Sequence, residues 1–146
     1  MLAVGLLAVP AADAGTAAAR TTGSVGLSLK YGHGRAKISW RGSLLGWGIR
    51  GRIVATNNVV VRNWSGRVRL SDNVTAYRGR HMTIRVYGTS GLWRLKIKGR
   101  GINVSGVVRG SLTLDGADTG RTGKYSIGGG ELRRWPRAER TFSLHG

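Results

Sequence analysis

From Trp93 to Lys98 apolar and cationic residues alternate without a break: Trp93, Leu95 and Ile97 share one parity, and Arg94, Lys96 and Lys98 the other. Strand side chains change face with period two, so this pattern dictates a half-buried strand with its cations in water. The stretch continues to residue 116 as G-R-G-I-N-V-S-G-V-V-R-G-S-L-T-L-D-G, which reads as two or three short strands, each stopped by glycine. The rest of the chain repeats the device. No window of a dozen residues after residue 14 carries a 3.6-residue apolar period, so almost no helix is expected.

In chain order, residues 25–31 alternate, with Val25, Leu27, Leu29 and Tyr31 on one parity. Gly32-His33-Gly34 turns the chain into 36–40, where Ala36, Ile38 and Trp40 point inward, and the two runs read as a hairpin. Residues 43–51 are apolar but interrupted by glycine, a kinked strand running on into 52–55. Asn57-Asn58 suits a two-residue turn. Strands follow at 59–64 and 67–70, then at 74–77 and 81–87 on either side of Arg78-Gly79-Arg80. Turns are expected at 88–91 and a polar loop at 117–123. Short strands at 124–127 and 141–144 finish the chain, the last closing an edge.

Gly-Arg dipeptides begin at residues 34, 51, 66, 79, 99 and 120. Their uneven spacing argues against a strict repeat, although it is near the size of one hairpin. About ten short, glycine-kinked strands favour an all-β antiparallel barrel or sandwich in a single domain over 25–146. A β-solenoid is the alternative, because 102–114 also reads as stacked rungs.

The run from Gly99 to Gly116, with T-G-K-Y-S-I-G-G-G (122–130) and Arg134-Trp135-Pro136, resembles uncharacterised secreted Gly/Arg-rich all-β proteins of actinobacteria. The resemblance covers the last third well and the middle loosely. It implies export and an all-β fold, and no reaction.

The beginning of the chain points the same way. Residues 2–9 are apolar, Pro10 breaks the run, and Ala12-Asp13-Ala14 offers small residues where a signal peptidase reads. Residues 1–14 therefore read as a secretory signal peptide with an atypical n-region, since Met1 is followed directly by Leu2; a disordered alanine-rich tail is the alternative. Residues 15–24 make a flexible leader. The apolar run is far shorter than the ~20 residues a membrane-spanning helix needs. Export to the outside or the cell envelope follows. Without cysteine, the domain must stand on apolar burial and sheet hydrogen bonds, and thiol or thiolate-metal chemistry is excluded.

No cofactor is expected. His33, His81 and His145 have no local ligand partner of zinc spacing. Asp115 and Asp118 share a loop but lack the oxygen density of a calcium site, and turn-forming aspartates explain them better. No G-x-S-x-G elbow or phosphate loop is present. A hydrolase would have to be assembled from dispersed carboxylates among Asp72, Asp115, Asp118, Glu131 and Glu139.

What remains is charge. Of 146 residues, 24 are Lys or Arg and 6 are Asp or Glu, a formal net charge of +18. Such a balance favours anionic partners: cell-wall polymer, nucleic acid or anionic lipid headgroups. Arginine-rich composition alone is the competing explanation, under which the domain is structural and has no specific ligand. The expected polyanion-binding set is Arg94, Lys96 and Lys98, extended by Arg67, Arg69 and Arg85 if their strands pair nearby. By parity Trp93 faces the core beneath that ladder, while Trp135, beside Pro136 and several arginines, is the tryptophan expected to be exposed. A monomer is expected.

Overall fold

A computed structural model describes residues 23–87, 91–117 and 123–146. The signal-peptide reading of 1–14, most of the leader, residues 88–90 of the expected turn and Asp118 lie outside them.

Among the described residues there is no helix, and every strand pairing is antiparallel. The strands are β1 (Val25–Thr56), β2 (Val60–Arg62), β3 (Gly66–Ser71), β4 (Val74–Val86), β5 (Trp93–Asp115), β6 (Lys124–Ile127), β7 (Arg133–Arg134) and β8 (Arg140–Leu144). They form one sheet with the path β2-β4-β1-β5-β8, which does not return on itself. Stacked solenoid rungs would pair in parallel, so the solenoid alternative is set aside.

Two strands dominate, and they pair with each other twice. Residues 25–40 of β1 run against 108–93 of β5, and residues 35–55 of β1 run against 115–95 of the same strand. The centre of each strand therefore has a partner on both edges. The sheet resolves into two rows. One holds β6, 25–30, 103–108, 42–47, 82–86 and β2; the other holds β8, 110–115, 34–41, 93–98, 50–56, 74–79 and β3. Both rows turn their apolar sides to a single core, in which Leu29, Ile38, Trp40, Leu44, Ile53, Met82, Ile84, Leu95, Ile97 and Ile102 are fully buried.

The chain passes from row to row at glycines, which bend the strands without stopping them. Gly34, Gly99, Gly51 and Gly79 stand side by side in register across four neighbouring segments of three strands, β1 contributing two. Gly34, Gly51 and Gly99 have φ of 128°, 139° and 154°, values closed to residues with a side chain. A Cβ on Gly99 would also lie 2.0 Å from the Arg50 carbonyl oxygen. Four of the six unevenly spaced Gly-Arg dipeptides thus fall on one line of bends.

Asn103 joins the chain segments beside this line. Its side chain is buried, its Oδ1 accepts from the Tyr31 N–H at 3.0 Å, and its Nδ2 donates to Gly101 O at 3.0 Å and Trp47 O at 3.3 Å. One amide therefore joins two bends of β1 to one of β5, and it satisfies backbone groups that a bend takes out of the ladder.

Several local expectations change. Residues 25–31 and 36–40 do not form a hairpin; both pair with β5 instead. Tyr31 adopts φ 53°, a left-handed conformation that ends the alternation and turns its ring out, 77% exposed, rather than inward with Leu29. The strand expected over 59–64 shrinks to Val60–Arg62, ended by Asn63 at φ 63°. Residues 92–116 form one bent strand rather than several stopped ones. The expected half-buried strand 67–70 is exposed on both faces, with Val68 62% exposed, because β3 overhangs the core and pairs only with β4. The expected strand at 124–127 and the edge strand at 141–144 are present, as β6 and β8.

Trp135 is fully buried, the reverse of the sequence expectation. Its six-membered ring fills the space left by a missing side chain: a Cβ on Gly32 would lie 2.3 Å from Trp135 Cζ3. The arginines around it stay in water while the indole drops into the hollow at the β1 bend.

Candidate functional site

The candidate site is the outer face of the row containing 34–41, 93–98 and 50–56. Residues directly opposite one another in an antiparallel pair share a face, with Cβ atoms about 4.5–5.5 Å apart. Register alone then builds the surface. Arg35 stands opposite Lys98, Lys98 opposite Arg52, and Arg52 opposite Arg78, four cations in one line across four segments of β1, β5 and β4. All four are exposed. The next line along the strands holds Lys37 opposite Lys96, followed by Val54 and Ala76. The one after it holds Ser111, Ser39 and Arg94, with Thr56 hydrogen-bonded to the Arg94 backbone. On the far side of the glycine line, Arg50 stands opposite Arg100, which stands opposite His33.

This placement follows from the sequence pattern and the bends together. Alternation sends Arg94, Lys96 and Lys98 outward while Leu95 and Ile97 are buried beneath them. The same holds for Arg35 and Lys37 around Ala36, and for Arg52 beside Ile53. The two-sided pairing of β5 with β1 then brings three such segments into contact.

An open depression of about 300 Å³ lies in the face, lined among others by Arg35, Lys37, Arg52, Lys96 and Lys98. Asp115 and Glu139 are the carboxylates on its wall. Asp115 has both oxygens committed: Oδ2 lies 3.0 Å from Arg35 Nη1, and Oδ1 accepts from the Ala117 N–H at 2.7 Å. The second bond is the local turn expected of this aspartate. A second depression, about 360 Å³, adjoins the glycine line and is lined by Arg35, Arg50, Lys98 and Arg100 with His33. Five cations against two carboxylates in the first depression make the face an anion acceptor by charge. Like charges set directly opposite one another also cost stability.

Of the residues singled out from sequence, Arg94, Lys96 and Lys98 form the centre of this face. Arg67, Arg69 and Arg85 are not part of it. Arg67 and Arg69 are registered with Tyr77 and Thr75, so they point to the core side of the sheet, beyond the core's rim. Arg67 lies over the Trp64 ring, 4.8 Å from its centroid. Arg85 belongs to the other row, opposite Leu45 and Val60, with its guanidinium 5.6 Å from the Tyr87 ring centroid. The members that sequence reasoning missed are Arg35, Lys37, Arg52, Arg78, Arg50 and Arg100. The Gly-Arg dipeptides at 34, 51 and 99 were the available signal, since each puts an arginine beside a bend.

Trp93 is half-buried and packs against the core from beneath the ladder, as its parity requires. Among the described residues no group of three or more His, Asp or Glu side chains is placed to hold a metal ion, and no helix is long and apolar enough to cross a membrane. Fold and face together define an all-β domain with a cationic sheet surface. Comparisons with protein-family models, curated proteins and solved structures find no match.

Proposed function

We propose that this protein is an exported, non-catalytic β domain that binds an anionic polymer through the face centred on Lys96 and Lys98. The observation that carries the reading is the line Arg35, Lys98, Arg52, Arg78, where four like charges stand in direct register. Compositional drift scatters arginines over a surface; it does not align them where they repel. A polyanion laid across the line converts that repulsion into attraction. Export is supported by the apolar run at 2–9 and the small residues at 12–14.

A hydrolytic role draws no support from the face, because Asp115 is held by Arg35 and the Ala117 N–H rather than set free as an acid or base.

Binding to inorganic polyphosphate over a salt series tests the proposal. For four neutralised charges, log K should fall against log salt with a slope of roughly −3. The double variant Lys96→Glu/Lys98→Glu should lose at least about tenfold in affinity and flatten the slope, while Arg67→Glu/Arg69→Glu, on the other side of the sheet, should stay within about twofold. Equal losses from both pairs would reduce the effect to net charge, and the site would be abandoned.

A further inference from the structure

Three features of the cationic face bear on what kind of polyanion it fits. No Trp, Tyr or Phe lines either of its depressions. The exposed aromatics Trp47 and Tyr87 are on or next to strands of the other row, Tyr31 stands out at the bend between the rows and lines neither depression, and Trp64 lies against Arg67 and Tyr77. Proteins that hold single-stranded nucleic acid combine a basic groove with aromatic platforms on which bases stack, and neither depression has that second component among its lining residues.

The depression is also small. About 300 Å³, lined by Arg35, Lys37, Arg52, Lys96 and Lys98, takes a short stretch of a single chain.

The third feature is what flanks the cations. Ser39 is in register with Arg94 on one side and Ser111 on the other, and Ser111 with Ser143. Thr113 is in register with Lys37 and with Thr141, and the two threonine hydroxyls lie 2.9 Å apart. A strip of small hydroxyls therefore runs along the cation cluster, on the same face. Hydroxyls donate and accept, so the strip matches a ligand with neutral polar groups between its charges.

Resting on the polyanion reading above, we infer that the ligand is a base-free phosphate polyester bearing hydroxyls, a polyol-phosphate chain. Its phosphates meet Arg35, Lys98, Arg52 and Arg78, where guanidiniums can bind phosphate oxygens in pairs. Its hydroxyls meet Ser39, Ser111 and Thr113. The spacing suits such a polymer. Cations on neighbouring strands are about 4.8 Å apart, and alternate residues along a strand are about 6.8 Å apart, so a chain that meets the Arg35–Lys98–Arg52–Arg78 line and turns along β5 reaches Lys96 and then Arg94, where Ser39 lies on the neighbouring strand.

The test compares the full protein's affinity for poly(glycerol phosphate), oligothymidylate and inorganic polyphosphate, matched in charge number and at one salt concentration. Poly(glycerol phosphate) should bind at least about tenfold more tightly than oligothymidylate, whose bases find nothing to stack on. The variant Ser39→Ala/Ser111→Ala should weaken poly(glycerol phosphate) several-fold and leave polyphosphate, which has no hydroxyls along its chain, unchanged. Equal or tighter binding of oligothymidylate would overturn the inference and leave polyanion binding standing, with nucleic acid as the ligand. Equal loss on both phosphate polymers in the serine variant would overturn the hydroxyl assignment. Binding of none of the three would sink the underlying reading itself.

Discussion

Single residues carry this fold where the chain bends. Gly99 is the sharpest case, because its φ of 154° and the Arg50 carbonyl oxygen each exclude a side chain. Gly99→Ala should therefore destabilise the protein by more than about 1 kcal/mol, read as a lowered urea midpoint at unchanged m-value. Gly26→Ala is the control: nothing lies within 4 Å of a Cβ there, and the residue sits in an extended strand. That substitution should be neutral or slightly stabilising, since it restricts the unfolded chain. A similar effect at both positions would mean that bending at the glycine line is not what positions the cations. Asn103 shows the same economy in a polar residue, with one amide serving three backbone groups on two strands.

At the scale of elements, the two long strands and the edge strands differ in how their backbone groups are held. Segment 95–97 of β5 is paired on one edge with 36–38 and on the other with 53–55, and it lies over buried Leu95 and Ile97. By contrast β3 and β8 each have one partner strand, and β3 is exposed on both faces. Amides of 95–97 should exchange with solvent only through global unfolding, whereas those of β3 should exchange through local opening. Native-state hydrogen exchange across a denaturant series separates the two: the first set should follow the global free energy and the second should be insensitive to denaturant. Exchange of β3 as slow as that of β5 would contradict the pairing.

For the whole molecule, charge is the governing quantity. The protein carries +18 formal charges, and it sets four cations in line with only Asp115 at the end. Self-repulsion of this kind is screened by salt, with a Debye length of about 30 Å at 0.01 M falling to about 8 Å at 0.15 M. Thermal stability should therefore rise over that range of sodium chloride, by a few degrees for each ~1 kcal/mol relieved. Lys96→Glu/Lys98→Glu should start from a higher melting temperature at low salt and respond less. A melting temperature that falls with salt would show the cations to be held by ion pairs rather than opposed to one another.

Much of this was legible in the chain itself. Alternation identified the inward residues Val25, Leu27, Leu29, Ile38, Trp40, Leu95 and Ile97, and it turned Arg94, Lys96 and Lys98 to water, because strand parity is a property of neighbouring peptide units. It also implied an antiparallel all-β domain punctuated by glycine. What parity cannot convey is which strands meet. The double pairing of 25–55 with 93–115 joins residues 40 to 83 positions apart, and only that register converts scattered Gly-Arg dipeptides into a line of bends with a line of cations beside it. For the same reason Arg67 and Arg69 alternate like the others yet emerge on the wrong side of the sheet. Trp135 disappears into a hollow made by a glycine a hundred residues earlier. Local chemistry decided which way each side chain points along its own strand; packing between distant segments decided what it meets there.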